Sequence, residues 1–294
     1  MGAILIMIAF IIIGVVISII VQFFQKKKIV KKNIKYGVAF ALILLVLNMV
    51  SMNVLDMRGK MIGLRIIIQF LEIIVFVAMG MHYSELIKIR SMPFICKKFD
   101  SQRVYEERIL IKEEVTEDIK EEIEDEDIMT EITEEKYDES NIIEESVNLK
   151  EALKWVIIFV IGSIIYSTIL FKIAHIDFAY ILDKVELESS ELAIYGLISG
   201  AAIQEEIVFR LVGQNFLMKS FNIERKNYYK VIIAMSFIWA LAHLGNDIVP
   251  RGIKFFQIFP MGIGLGWMYE KFGLESCILS HLLFNIIMIS IVFI

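Results

Sequence analysis

Cysteine is scarce in this chain of 294 residues, which has only Cys96 and Cys277. Two cysteines so far apart cannot form a CxxC metal pair. Convincing alternation of polar and apolar residues is missing, which argues against a transmembrane barrel. No repeat with a period of roughly 20–50 residues stands out. The basic residues have no recognition motif around them, so no nucleic-acid partner is expected.

Apolar residues are abundant, at 57% of the chain with a mean hydropathy of +0.67, against roughly 45–50% in soluble domains. Residues 2–24 contain no charge, and about 20 apolar residues span a bilayer. Lysines follow this segment instead of preceding it, so we expect a retained helix rather than a cleaved signal peptide. The predicted fold class is all-α, a polytopic transmembrane helical bundle of about eight spans, at 2–24, 36–55, 61–83, 153–174, 191–218, 229–246, 253–270 and 275–294.

Lysine and arginine in the short loops predict the orientation. Loops rich in them follow the first, third and fifth spans, whereas the intervening loops have fewer. The rich loops should be cytoplasmic, and both termini then lie outside. Both cysteines fall on or near the cytoplasmic side, where disulfides are rare. The Ile- and Lys-rich composition suggests a bacterial plasma membrane.

The segment 100–146 has a different character, with 20 acidic and five basic residues. Its net charge is −15, and since the whole chain has a net charge of −5, the remainder is strongly basic. Such a density of like charge argues against a packed core. We predict three regions: an N-terminal three-helix membrane region (1–99), an acidic cytoplasmic linker, partly helical or disordered (100–149), and a catalytic membrane core (150–294). The linker is a candidate binding arm for a cytoplasmic partner.

Three charged residues interrupt the apolar stretch "GLISGAAIQEEIVFRLVGQNF" at 196–216: Glu205, Glu206 and Arg210. Ionisable groups inside membrane helices are costly and usually face a cavity or each other. Glu206 and Arg210 are four residues apart and share a helix face, in the order that favours a pair. Glu205 points about 100° away. We therefore predict a structural Glu206–Arg210 pair and a free Glu205, a candidate general base.

Distances along the helices place further polar residues at a similar depth. Glu205 is 14 residues from the cytoplasmic marker Lys219, about 21 Å at the rise of a helix. By the same measure His243 lies about 20 Å from Lys230, and His281 and Asn285 lie about 15 and 21 Å from Lys271. One glutamate, two histidines and one asparagine on three helices therefore predict a single site.

These residues resemble the motifs of the CPBP family, which includes CAAX prenyl proteases and bacteriocin-processing enzymes. "EEIVFR" resembles EExxxR, "WALAH" resembles FxxxH with Trp239 in place of the phenylalanine, and "HLLFN" resembles HxxxN. The motifs occur in the family's order, and the resemblance covers roughly residues 150–294. Leu211 follows Arg210 where many relatives have glycine, a departure that removes no chemical group.

The resemblance implies an intramembrane glutamate-dependent endopeptidase of eight helices. Glu205 would activate the attacking water, His243 would share the proton transfer, and His281 with Asn285 would form the oxyanion hole. Glu206 and Arg210 would hold the site in shape, and Trp239 would preserve an aromatic wall. The substrate would be a peptide or membrane protein, prenylated or with a leader segment, in contact with the lipid bilayer.

Other functions stay open at this point. Glu205, His243 and His281 could supply a zinc site of two histidines and one glutamate, although the HExxH spacing is absent and no cofactor is expected. A non-catalytic membrane scaffold or a bacteriocin self-immunity protein would keep the polar layer for structure. A transporter is disfavoured because no pair of matched broken helices appears in two halves.

Overall fold

The computed structural model describes residues 30–51, 60–89, 91–95, 147–176, 191–245, 250 and 252–293. Within these ranges the chain consists of helices and turns, and no strand occurs there. The predicted span at 2–24 and the acidic segment 100–146 lie outside the described residues.

Seven helices make up the described part of the chain, one at each predicted span after the first. They are α1 (Val30–Ser51), α2 (Lys60–Leu86), α3 (Leu149–Ile173), α4 in three parts, α5 (Tyr228–Ala242), α6 (Ile253–Phe272) and α7 (Leu274–Phe293). Three described segments are long and apolar enough to cross a bilayer: Ile66–Leu86, Leu149–Ile173 and Leu274–Ile291. The described part of the chain is thus all-helical and fits a helical membrane protein, and the number of eight spans stays a prediction.

Helix α3 buries one narrow face and leaves apolar residues exposed on its other faces. Its buried residues recur at every third or fourth position, from Ala152 through Val156 and Val160 to Phe171, which is one narrow helix face. Residues on the other faces, such as Ile157 and Ile161, are apolar and exposed. Because a bilayer solvates apolar side chains, a helix can remain apolar all round while packing through a single stripe.

Helix α4 has three parts: an α-helical part Glu191–Glu206, a π-helical part Ile207–Gln214 and an α-helical end Asn215–Ser220. It packs against α1, α2, α5, α6 and α7, so the described bundle is arranged around it. A regular helix was predicted throughout 191–218, and the π-helical part is therefore an unexpected feature.

Helices α6 and α7 are joined by a single residue, Gly273, whose φ is +84°. Glycine adopts this left-handed conformation without steric cost. The turn sends α7 back beside α6, and the backbone N–H of Leu274 donates to the carbonyl of Ser91 at 2.7 Å. This tight connection keeps α7 beside α6 and α4.

The chain divides into two compact units, Met1–Ser91 with Lys150–Ile294, and Met92–Leu149. Of the second unit the structure describes only residues 92–95 and 147–149. All contacts discussed below lie within the first unit. The three predicted regions stay a prediction.

Candidate active site

The two adjacent glutamates lie where the helix α4 changes its geometry. The α-helical part of α4 ends at Glu206, and the π-helical part begins at Ile207. π-Helical turns are rare and frequently occur at functional sites. The local change in winding alters which neighbours the side chains on this helix can meet.

Glu206 and Arg210 form the ion pair that their spacing predicts. Arg210 Nε lies 3.2 Å from Glu206 Oε2, and both side chains are almost completely buried. The guanidinium also lies over the ring of Trp239, 4.3 Å from its centroid, and donates to the carbonyl of Gly262 at 3.4 Å. The pair thus links α4 to α5 and α6.

Glu205 is not free, which corrects the prediction from spacing. Its Oε2 accepts a hydrogen bond of 2.7 Å from the indole N–H of Trp239. The same oxygen lies 3.8 Å from His243 Nε2, too far for a direct hydrogen bond. The side chain is 27% exposed, in contrast to 0% for Glu206. Glu205 is therefore the accessible carboxylate of the two.

His243 lies immediately after α5, and its ring forms a hydrogen bond with a backbone carbonyl in the last turn of that helix. Its Nδ1 is 2.8 Å from the carbonyl oxygen of Trp239, one of the last carbonyls, which lack a partner within the helix. A carbonyl oxygen can only accept, so Nδ1 carries the proton. In the neutral ring Nε2 is then an acceptor, and it is the atom nearest to Glu205.

His281 pairs with Glu206 rather than with Glu205. Its Nδ1 is 2.8 Å from Glu206 Oε1, and the ring is almost fully buried. The prediction grouped both histidines around one carboxylate, whereas the structure gives each glutamate its own histidine. The ring of Trp239 contacts both imidazoles edge-on, at a centroid distance of 5.4 Å in each case.

Asn285 lies one helical turn beyond His281 on α7 and is half-buried. Residues four apart on a helix share a face. Within the described part of the chain its side chain makes no hydrogen bond, so its amide is available to another partner. The structure thus brings together Glu205, His243, Glu206, His281 and the rings between them, with Asn285 adjacent.

Polar residues behind the site were not identified from the sequence. Asn215 Nδ2 lies within hydrogen-bond distance of the hydroxyl of Tyr269, at 2.6 Å, and of the carbonyls of Leu211 and Gly80. Gln214 accepts from the hydroxyl of Tyr228 at 3.0 Å. The adjacent polar pair at 214–215, one turn beyond Arg210 in the same span, was the available signal.

A second polar connection reaches the site from α1 and α2. Asn48 donates to Gln69 at 3.0 Å, and Gln69 donates to Gln204 at 2.9 Å. Gln204 directly precedes Glu205 on α4. The N-terminal helices, which have no recognisable motif, therefore bond to the helix that holds both glutamates.

The zinc site considered from the sequence stays a hypothesis. Among the residues that the structure describes, no three His, Cys, Asp or Glu side chains come close enough together to hold a metal ion. The two carboxylates and two histidines form separate pairs because Glu205 and Glu206 face different helices.

Comparison with known proteins confirms the family resemblance. Residues 187–287, about a third of the chain, match the family described as type II CAAX prenyl endopeptidase Rce1-like. The matched range contains all three motifs. The sporulation-killing factor biosynthesis protein SkfC of Bacillus subtilis (strain 168) is 28% identical over 89 residues, which cover 30% of this chain and 17% of that protein. The match thus spans about a sixth of the length of that relative, and no solved structure matches the chain.

Proposed function

We propose that this chain is an intramembrane endopeptidase in which Glu205 activates a water molecule to hydrolyse a peptide bond. The observation that carries this proposal is that two adjacent glutamates differ in burial and in bonding partners. Glu206 is buried in an ion pair, whereas Glu205 is accessible and oriented by a hydrogen bond. The similarity of residues 187–287 to a family of endopeptidases supports the same reaction class.

His243 is suited to share the proton transfer with Glu205. Its Nε2 and Glu205 Oε2 are 3.8 Å apart, so one water molecule can donate to both atoms when the ring is neutral. General acid–base catalysis requires a base within hydrogen-bond reach of the proton that it removes, directly or through water. After attack, the proton can pass from this pair to the leaving amine.

His281 and Asn285 are the proposed donors to the oxyanion. Because Glu206 accepts from Nδ1 of His281, the ring can donate from Nε2 only when both nitrogens carry protons. The charged ring then faces a carboxylate that Arg210 also contacts. Donors fixed by their surroundings before the reaction are the most effective at stabilising developing charge.

We propose hydrolysis without a bound metal, because the donor groups form two separate pairs. Purified protein treated with a chelator should keep its activity, and elemental analysis should find no stoichiometric zinc. Loss of activity that returns with added zinc would contradict this part of the proposal.

The proposed substrate is a membrane-associated peptide that is either prenylated or carries a leader segment. The relative SkfC is named for the biosynthesis of a sporulation-killing factor, which favours a precursor peptide of that kind. The proposed location is a bacterial plasma membrane, crossed by about eight spans. The acidic linker is proposed to bind a cytoplasmic partner.

The test compares membrane-associated peptides in cells that express wild-type protein, Glu205→Ala or His243→Ala. The same uncut precursor should accumulate in both variants. Glu224→Ala is the matched control, because Glu224 is an exposed loop residue paired with Lys226. Identical peptide profiles in all four strains, with the variants folded, would favour a membrane scaffold or a self-immunity protein.

A further inference from the structure

Trp239 contacts four of the five charged or titratable groups of the candidate site, all except Glu206. Its indole N–H donates to Glu205, and its carbonyl accepts from His243. Its ring lies under the guanidinium of Arg210 and meets the imidazole of His281 edge-on. The residue is fully buried. An aromatic wall would explain the ring contacts but not the hydrogen bond to Glu205.

We propose that Trp239 is a positioning residue that orients the Glu205 carboxylate through its indole N–H. This inference rests on the proposed function of Glu205 as the base. The indole N–H is only a donor, and a hydrogen bond to an ionised carboxylate is short and comparatively strong. The observed distance of 2.7 Å is in that range. The same Oε2 lies 3.8 Å from His243 Nε2, so holding it fixes the position of the water that both atoms would share.

The indole makes the one hydrogen bond to Glu205 from the residues that the structure describes. The His243 ring lies too far from the carboxylate to replace it. A glutamate side chain without this contact would occupy several rotamers, and each would have to be reordered before reaction. A near-attack geometry is sensitive to displacements of about 1 Å.

The position of the donor is set by packing and does not depend on Glu205. A Cβ atom at Gly262 would lie 3.0 Å from Trp239 Cε3, so α6 closes against one edge of the ring. Arg210 covers a face of the ring, and Phe209 lies 6.3 Å away between centroids. A donor held this rigidly can select one rotamer of the carboxylate.

The sharpest test replaces Trp239 by β-(3-benzothienyl)alanine, which keeps the shape of the ring but has sulfur instead of N–H. Cleavage of the precursor identified with Glu205→Ala is measured as kcat and KM. We expect kcat to fall roughly ten- to a hundredfold, the loss expected for one hydrogen bond to a charged group, with KM changed less than twofold. Trp239→Phe should show a similar fall. Wild-type kcat in the benzothienyl protein would overturn the inference.

A second measurement observes the contact without requiring turnover. In the 15N-labelled protein, the indole N–H resonance of Trp239 should move upfield in Glu205→Ala, while those of Trp155 and Trp267 should not. An unmoved Trp239 resonance would overturn the inference. If no precursor accumulates in Glu205→Ala cells, the proposed function fails instead, so the two failures are distinguishable.

Discussion

At the scale of single residues, two neighbouring carboxylates have different environments and different consequences. Glu206 is in contact with Arg210 and His281, and all three side chains are almost fully buried. Glu205 contacts the indole of Trp239 and remains partly accessible. Removing one partner of a buried charge pair leaves the other uncompensated, whereas removing an accessible carboxylate does not. Stability and activity should therefore respond differently to the two positions.

We expect Glu206→Ala to lower the free energy of unfolding by about 3–5 kcal/mol, because Arg210 would remain buried without its carboxylate. Glu205→Ala should cost only about 1–2 kcal/mol, because it leaves the buried indole N–H of Trp239 without its acceptor, and should still abolish cleavage. Thermal unfolding followed by circular dichroism in detergent measures both variants. Equal losses of stability would contradict the division between a structural and a reactive glutamate.

At the scale of elements, the glycines of α6 decide how closely it approaches α5. A Cβ atom at Gly262 would lie 2.8 Å from Ser236 Cβ, and one at Gly266 would lie 2.7 Å from Ile232 Cγ2. This spacing is the GxxxG pattern that permits close helix contact in membranes. It brings the carbonyl of Gly262 to Arg210 and closes the space around Trp239.

Gly262→Ala should separate α5 from α6 and lower the free energy of unfolding by about 1–3 kcal/mol, the usual cost of overpacking. Gly162→Ala on α3 is the matched control, because a Cβ atom there would meet nothing within 4 Å. The control should be neutral or stabilised by up to about 1 kcal/mol through helix propensity. Chemical denaturation of both proteins distinguishes them, and equal stability would refute the close contact.

At the scale of the whole molecule, helices with and without recognisable motifs form one arrangement. The matched range begins at residue 187, yet α1 and α2 pack against α4. The half-buried side chains of Asn48, Gln69 and Gln204 connect the three helices. The N-terminal helices thus directly contact the helix that holds both glutamates.

The distribution of basic residues predicts that position 219 faces the cytoplasm and position 250 the outside. In a Cys96→Ser background, a membrane-impermeant maleimide should label Pro250→Cys in intact cells and label Lys219→Cys only after the membrane is opened. Cys277 should stay unlabelled in both variants, because it is fully buried and donates to the carbonyl of Leu265. The opposite labelling pattern would invert the predicted orientation.

Much of this protein was determined by its sequence alone. Long apolar runs predicted helices at seven positions where the structure has them, because burying backbone polar groups in lipid requires helices. The spacing of Glu206 and Arg210 predicted their pair, since residues four apart meet on a single helix. Both inferences depend on interactions within one segment.

Only the tertiary structure decided which histidine belongs to which glutamate. A common depth along three helices does not specify how each helix is rotated about its axis. The rotation of about 100° between adjacent residues directs Glu205 towards Trp239 and His243, and Glu206 towards His281. The π-helical part of α4 depends on packing between distant segments. Such packing leaves no periodic pattern in the sequence.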